Sequence, residues 1–95
     1  MIERRDGRLV VQGPVTNANV VDVLEAGEPF LTDGNVVFDF AQVTEADSTV
    51  LSLMLEWSRR ARRRGVEVAF AGLSDSMRSL TDLYGVVELI PRAAS

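Results

Sequence analysis

Apolar residues in this chain follow two spacings, and the change from one to the other marks the elements. Short, nearly continuous apolar runs at Leu9-Val10-Val11, Val36-Val37-Phe38 and Val66 to Ala71, rich in β-branched side chains, read as strands. Between them, apolar residues at helical spacing read as amphipathic helices: Val20, Val21, Val23 and Leu24, then Val50 to Ala61, then Met77, Leu80, Leu83 and Tyr84.

Turn and cap residues set the boundaries. Ile2 to Gln12 predicts a hairpin around Asp6-Gly7, with Gly13-Pro14 ending its second strand, Arg8 to Gln12. Thr16 or Asn17 is the candidate cap of the first helix, and Gly27 followed by Pro29 its stop. A strand Asn35 to Phe40 leads through a polar loop to Asp47 or Ser48. Either can cap a second helix that runs to about Arg64, with Gly65 at C′. Gly72 ends the next strand. Ser74 or Asp75 caps a third helix stopped by Gly85, and Val86 to Ile90 predicts a last edge strand before Pro91. Strand, helix, strand, helix, strand with short links implies parallel pairing by right-handed crossovers. The expected fold is α/β: one domain over residues 1–95, a mixed sheet started by an N-terminal hairpin, and three helices mainly on one face.

The second helix is more apolar than one sheet contact requires. Val50, Leu51, Leu53, Met54, Leu55, Trp57 and Ala61 cover an arc of roughly 200°, against a stripe of about 100° for a helix lying on a single surface. Either the first and third helices bury its margins, or part of the arc is a partner face. Its polar side carries Ser52, Glu56, Arg59 and Arg63.

Composition narrows the function. Ninety-five residues with 46% hydrophobic and 25% charged content suit a single soluble domain, and no apolar run is long enough to span a membrane. No apolar segment follows Arg4-Arg5, so no signal peptide is expected, and without cysteine there is no disulfide framework; the cytoplasm is the expected compartment. A net charge of −4 argues against nucleic acid as the main ligand. Half of the ten basic residues, all arginine, crowd the end of the second helix at Arg59, Arg60, Arg62, Arg63 and Arg64, where cations complement the helix dipole.

Enzyme chemistry is poorly supplied. The chain has no histidine, cysteine or lysine, so Gly72-Leu73-Ser74-Asp75-Ser76, which partly resembles a nucleophile elbow, has no base to serve it. A P-loop is excluded for want of its lysine. Asp39 and Asp47 are the candidate pair for a magnesium-dependent phosphatase or phosphotransfer site, but their spacing alone does not make a metal site. No metal or cofactor is expected. Asp47-Ser48-Thr49 instead suits contact and regulation. One hydroxyl there can cap the helix, and the free amides and positive dipole end tolerate an added phosphate at Ser48 or Thr49.

Val37-Phe38-Asp39-Phe40, Val43 through Asp47-Ser48-Thr49-Val50-Leu51, the basic helix end with Gly65, and Leu80 through Leu83-Tyr84-Gly85-Val86 together resemble the STAS domain, the fold of anti-sigma factor antagonists. Thr49-Val50 stands where that family commonly has Ser-Gly or Gly-Gly. Within the family, the arginine-rich helix end and Leu83 to Val86 are most similar to the small MlaB-type subunits of the phospholipid-transporting Mla ABC system. The resemblance implies a non-enzymatic cytoplasmic accessory protein, peripheral to the inner membrane through its partner. That partner would be an ABC-transporter ATPase and, through it, the permease, in a system maintaining outer-membrane lipid asymmetry. The alternative is an antagonist that binds an anti-sigma kinase and is released by phosphorylation. Both readings use one surface: Asp47, Ser48, Thr49 and Ser52 for polar contact, Val50 and Leu53 for apolar area. Ser48 matches the family's hydroxyl after the aspartate, and Thr49 matches the second hydroxyl of Ser-Ser variants, the phosphorylated one.

Overall fold

The computed structural model describes residues 1–32 and 34–83. Among these residues four strands, β1 (Ile2–Arg5), β2 (Arg8–Val15), β3 (Asn35–Ala46) and β4 (Glu67–Ala71), form one sheet in the order β1-β2-β3-β4. The β1–β2 pair is antiparallel, whereas β2–β3 and β3–β4 are parallel. Helices α1 (Val20–Gly27), α2 (Thr49–Arg63) and α3 (Asp75–Leu83) supply the connections and the cover. The expected strand Val86 to Ile90, together with Tyr84, Gly85 and the tail, lies outside the described residues.

The hairpin forms as its turn residues require. Asp6 and Gly7 have φ of 52° and 79°, the paired positive angles of a two-residue primed turn, and Arg5 pairs with Arg8 across it. In β3, alternate residues Val36, Phe38 and Phe40 point into one core with Leu9 and Val11 of β2 and Val68 and Phe70 of β4. Val23 of α1, much of α2, and Met77 of α3 join the same core, so all three helices cover one sheet face.

Trp57 is the centre of that packing. Its ring lies parallel to Phe38, with centroids 3.9 Å apart and planes 4° from parallel, and Phe40 meets its edge at 6.3 Å. Its indole N–H donates to the Leu24 carbonyl of α1 at 3.1 Å. Val50, Leu51, Leu53, Met54, Trp57 and Ala61 are all buried, and Leu55, at one edge of the arc, is half-buried against the core. The wide apolar arc is thus a consequence of two flanking helices.

Four expectations are corrected. β2 does not stop at Gly13-Pro14. Gly13, at φ 85°, takes up a shift in register, and Pro14 falls beyond the end of β1, where its missing N–H breaks no ladder bond on that side. β3 runs on to Ala46, because the polar stretch read as a loop pairs with Gln12 to Val15 through backbone groups that need no buried side chains. The first helix is entered from Asn19, not Thr16 or Asn17. Asn19 accepts from the Thr16 N–H at 2.9 Å and donates to the Pro14 carbonyl at 2.9 Å, so both residues form a turn ahead of the helix. On α3, Leu83 faces outward at 76% exposure, while Thr81 takes the buried position.

The other ends follow their residue types. Gly65, at φ 70°, closes α2 with paired bonds, its own N–H to the Arg62 carbonyl at 3.2 Å and the Val66 N–H to Ala61 at 2.8 Å. Ser74 caps α3, its hydroxyl accepting from the Met77 N–H at 3.2 Å.

Candidate functional site

The extended β2–β3 pair carries the chain past the core and sets Asp47 at the start of α2. The Asp47 N–H donates to the Val15 carbonyl at 3.3 Å, a last rung between the two strands. Its carboxylate then joins two loops that are thirty residues apart in sequence. Oδ2 accepts from the Asn17 N–H at 3.0 Å, and Oδ1 accepts from the Thr49 N–H at 2.9 Å and from the Thr49 hydroxyl.

These three donors favour the charged form. They hold the Asp47 carboxyl below the usual carboxylate range, with the Thr49 hydroxyl the largest cause, followed by the Asn17 and Thr49 amides. Asp47 is therefore the side chain that caps α2, the first of the two candidates considered from sequence.

Ser48, one residue on, is free of that task. It has helical backbone angles, φ −64° and ψ −14°, its side chain makes no cap bond, and it is exposed. Ser52 is exposed one turn later. Residues four apart share a helix face, so the two hydroxyls form one small polar surface. Thr49 is half-buried, and its hydroxyl proton is committed to Asp47.

Val50 and Leu53 do not belong to that surface. They are 0% and 1% exposed and lie in the core, so neither supplies apolar contact area; the flanking helices already occupy that face. Asn17, which sequence reasoning left out of the site, belongs to it through its backbone N–H. Any residue but proline can donate that bond, so the sequence carries little signal for it.

Asp39 and Asp47 do not converge. Asp39 lies within β3 and Asp47 just past its end, eight residues on, about 26 Å at the usual rise of a strand. Asp39 instead accepts from the Ala41 N–H at 2.8 Å and pairs with Arg8 at 3.4 Å, far from the α2 cap. No shared ion can bridge the two carboxylates.

A family described as "Mlab, STAS domain" matches residues 2–91. The chain belongs to the STAS domain family. Among solved structures, the STAS chain is similar to the anti-sigma factor antagonist SpoIIAA in its unphosphorylated form. That likeness has a TM-score of 0.73 at 13% identity and covers 100% of this chain and 88% of that one. It is also similar to part of a protein named Mglu, at TM-score 0.52 and 26% identity over 79% of this chain and 20% of that one. No curated protein matches. The SpoIIAA likeness establishes the STAS architecture, seen among the described residues as a four-stranded mixed sheet with its opening hairpin and three helices.

Proposed function

We propose that this STAS domain is a non-enzymatic binding module, an accessory subunit that docks on the ATPase of an ABC-type phospholipid transporter and supports its assembly and activity. The observation that carries the reading is the exposed first turn of α2. Ser48 and Ser52 face solvent on a backbone fixed by Asp47, which ties β2, the β2–α1 loop and α2 together. A rigid polar turn loses little conformational freedom on binding, and that favours recognition by a partner. The Mlab description of the matching family supports the transporter setting.

The chain offers little for catalysis, having no histidine, cysteine or lysine. Among the described residues, no helix is long and apolar enough to cross a membrane, so a peripheral place held through the ATPase and its permease fits the proposal. In it the module works at the cytoplasmic face of the inner membrane.

A second reading, an anti-sigma factor antagonist switched by phosphorylation, is favoured by the likeness to SpoIIAA and by the accessible Ser48 hydroxyl. Purification of the tagged protein from native membrane and cytoplasmic fractions, with mass spectrometry of what accompanies it, separates the two. An ABC ATPase recovered with its permease is the expected result. A histidine-kinase-like ATPase recovered in its place assigns the protein to sigma-factor regulation and overturns the transporter reading.

A further inference from the structure

The polar side of α2 does not end at Ser52. At 100° per residue, Ser48, Ser52, Glu56, Arg59 and Arg63 fall within an arc of about 80°, so one stripe runs the length of the helix. Its far end opens into a cavity of about 430 Å³ lined by Glu28, Glu56, Arg59, Arg60, Arg63 and Arg64.

Two pairs of arginines in this cavity have the same spacing and different surroundings. Arg60 and Arg64, four apart, share one carboxylate: Glu28, from the turn after α1, makes an ion pair with each. Like charges at this spacing repel, and Glu28 removes that cost for this pair. Arg59 and Arg63 are also four apart and line the same cavity. Arg59 is held by Glu56 through Nε at 3.1 Å. Among the described residues, no carboxylate lies within ion-pair distance of Arg63.

We propose that the Arg59–Arg63 pair is a docking site for an acidic protein segment, whose carboxylate bridges these two guanidiniums as Glu28 bridges Arg60 and Arg64. Guanidinium forks match carboxylate geometry, and Arg59, already oriented by Glu56, is preordered for it. The local charge suits an acidic segment, since four arginines against two glutamates leave an excess of two positive charges in the cavity. An anionic membrane is the poorer match. Each basic residue near such a surface contributes only about 1 kcal/mol. The site lies about 16 to 22 Å along α2 from Ser48 and does not rest on the identity of any partner docked there.

The test is an NMR titration of the full chain, following the arginine Nε–Hε signals, with an unstructured peptide of alternating Glu and Ser as the probe. Arg59 and Arg63 signals shift, and affinity falls about tenfold in Arg63→Gln, the scale of losing a charge-assisted bond. It also falls between about 0.05 and 0.3 M NaCl, as screening requires. Arg78→Gln, an exposed arginine on α3, binds as wild type. The proposal is overturned if the peptide does not bind, if Arg63→Gln binds as tightly as wild type, or if phosphatidylglycerol vesicles bind the chain through these arginines and the peptide does not.

Discussion

Thr49 donates both its backbone N–H, at 2.9 Å, and its hydroxyl to a single oxygen of Asp47, Oδ1. The neighbouring Ser48 is exposed and makes no cap bond. Two adjacent hydroxyls that look interchangeable in sequence are therefore not equivalent in the fold. One holds the start of α2 and the other is presented on it.

That division gives an order of stabilities. Thr49→Val removes the hydroxyl bond and keeps the amide bond, for a loss of about 1 kcal/mol. Asp47→Ala removes the acceptor of all three bonds and uncouples the β2–α1 loop from α2, so its loss exceeds that of Thr49→Val. Ser48→Ala stays within about 0.5 kcal/mol of wild type, as for a surface position without a bond. Urea unfolding of the three variants gives the order directly, and a Ser48→Ala loss equal to that of Thr49→Val contradicts it.

Asp47 also predicts a pH dependence. Its folded pKa is depressed, so its contribution to stability is fully present above the unfolded carboxylate value and is lost as pH falls through the folded value. Compared with Asp47→Asn, wild type should hold a constant advantage above about pH 5 and lose it progressively below about pH 4. Parallel urea titrations across that range show the convergence. A difference that stays flat to low pH means the carboxylate charge is not the group involved.

Gly27 has a role that its position at a helix end hides. A Cβ at this residue would lie 2.5 Å from Cζ2 of Trp57, so α1 reaches α2 only because no side chain stands between them. Gly27→Ala should cost about 1–3 kcal/mol, the usual range for overpacking, and should change Trp57 fluorescence because the stack on Phe38 shifts. An unchanged melting temperature and emission spectrum would show that the ring yields without strain.

Much of this architecture is legible in the residues. Asp6-Gly7 and Gly65 declare their turns because positive φ selects for glycine and its few substitutes. The apolar arc of α2 leaves two readings open, flanking helices or a partner face, and only the fold shows that most of it is buried. The sequence does not reveal features that depend on contacts made elsewhere. Ala41 to Ala46 is strand because β2 lies beside it, although its side chains resemble those of a loop. Gly27 reads as a stop, yet it is a point of close approach to a tryptophan thirty residues on. Val50 and Leu53 have the composition of an interface and are core. The Asp47–Asn17 bond uses a backbone donor and so leaves no residue type to recognise.

The ion pairs around Glu28 make a modest contribution. Glu28→Gln leaves Arg60 and Arg64 without their shared charge. It should lower stability by up to about 1 kcal/mol at low salt, and by less as screening increases. Melting temperatures of wild type and variant at low and high NaCl measure the effect, and a difference that does not narrow with salt rules out an electrostatic origin.

If the first turn of α2 docks the protein on an ABC ATPase, as proposed, a charge placed in that turn weakens the complex. Ser48→Glu tests it most directly, because an anion at a helix N-terminus leaves the domain folded while placing charge in the contact. Titration calorimetry of the co-purified ATPase against wild type and Ser48→Glu, at matched melting temperatures, is the decisive measurement. The complex with the variant should be at least about tenfold weaker, the scale of one charge left unpaired in a contact. Equal affinities would contradict the proposal and place the interface elsewhere on the molecule.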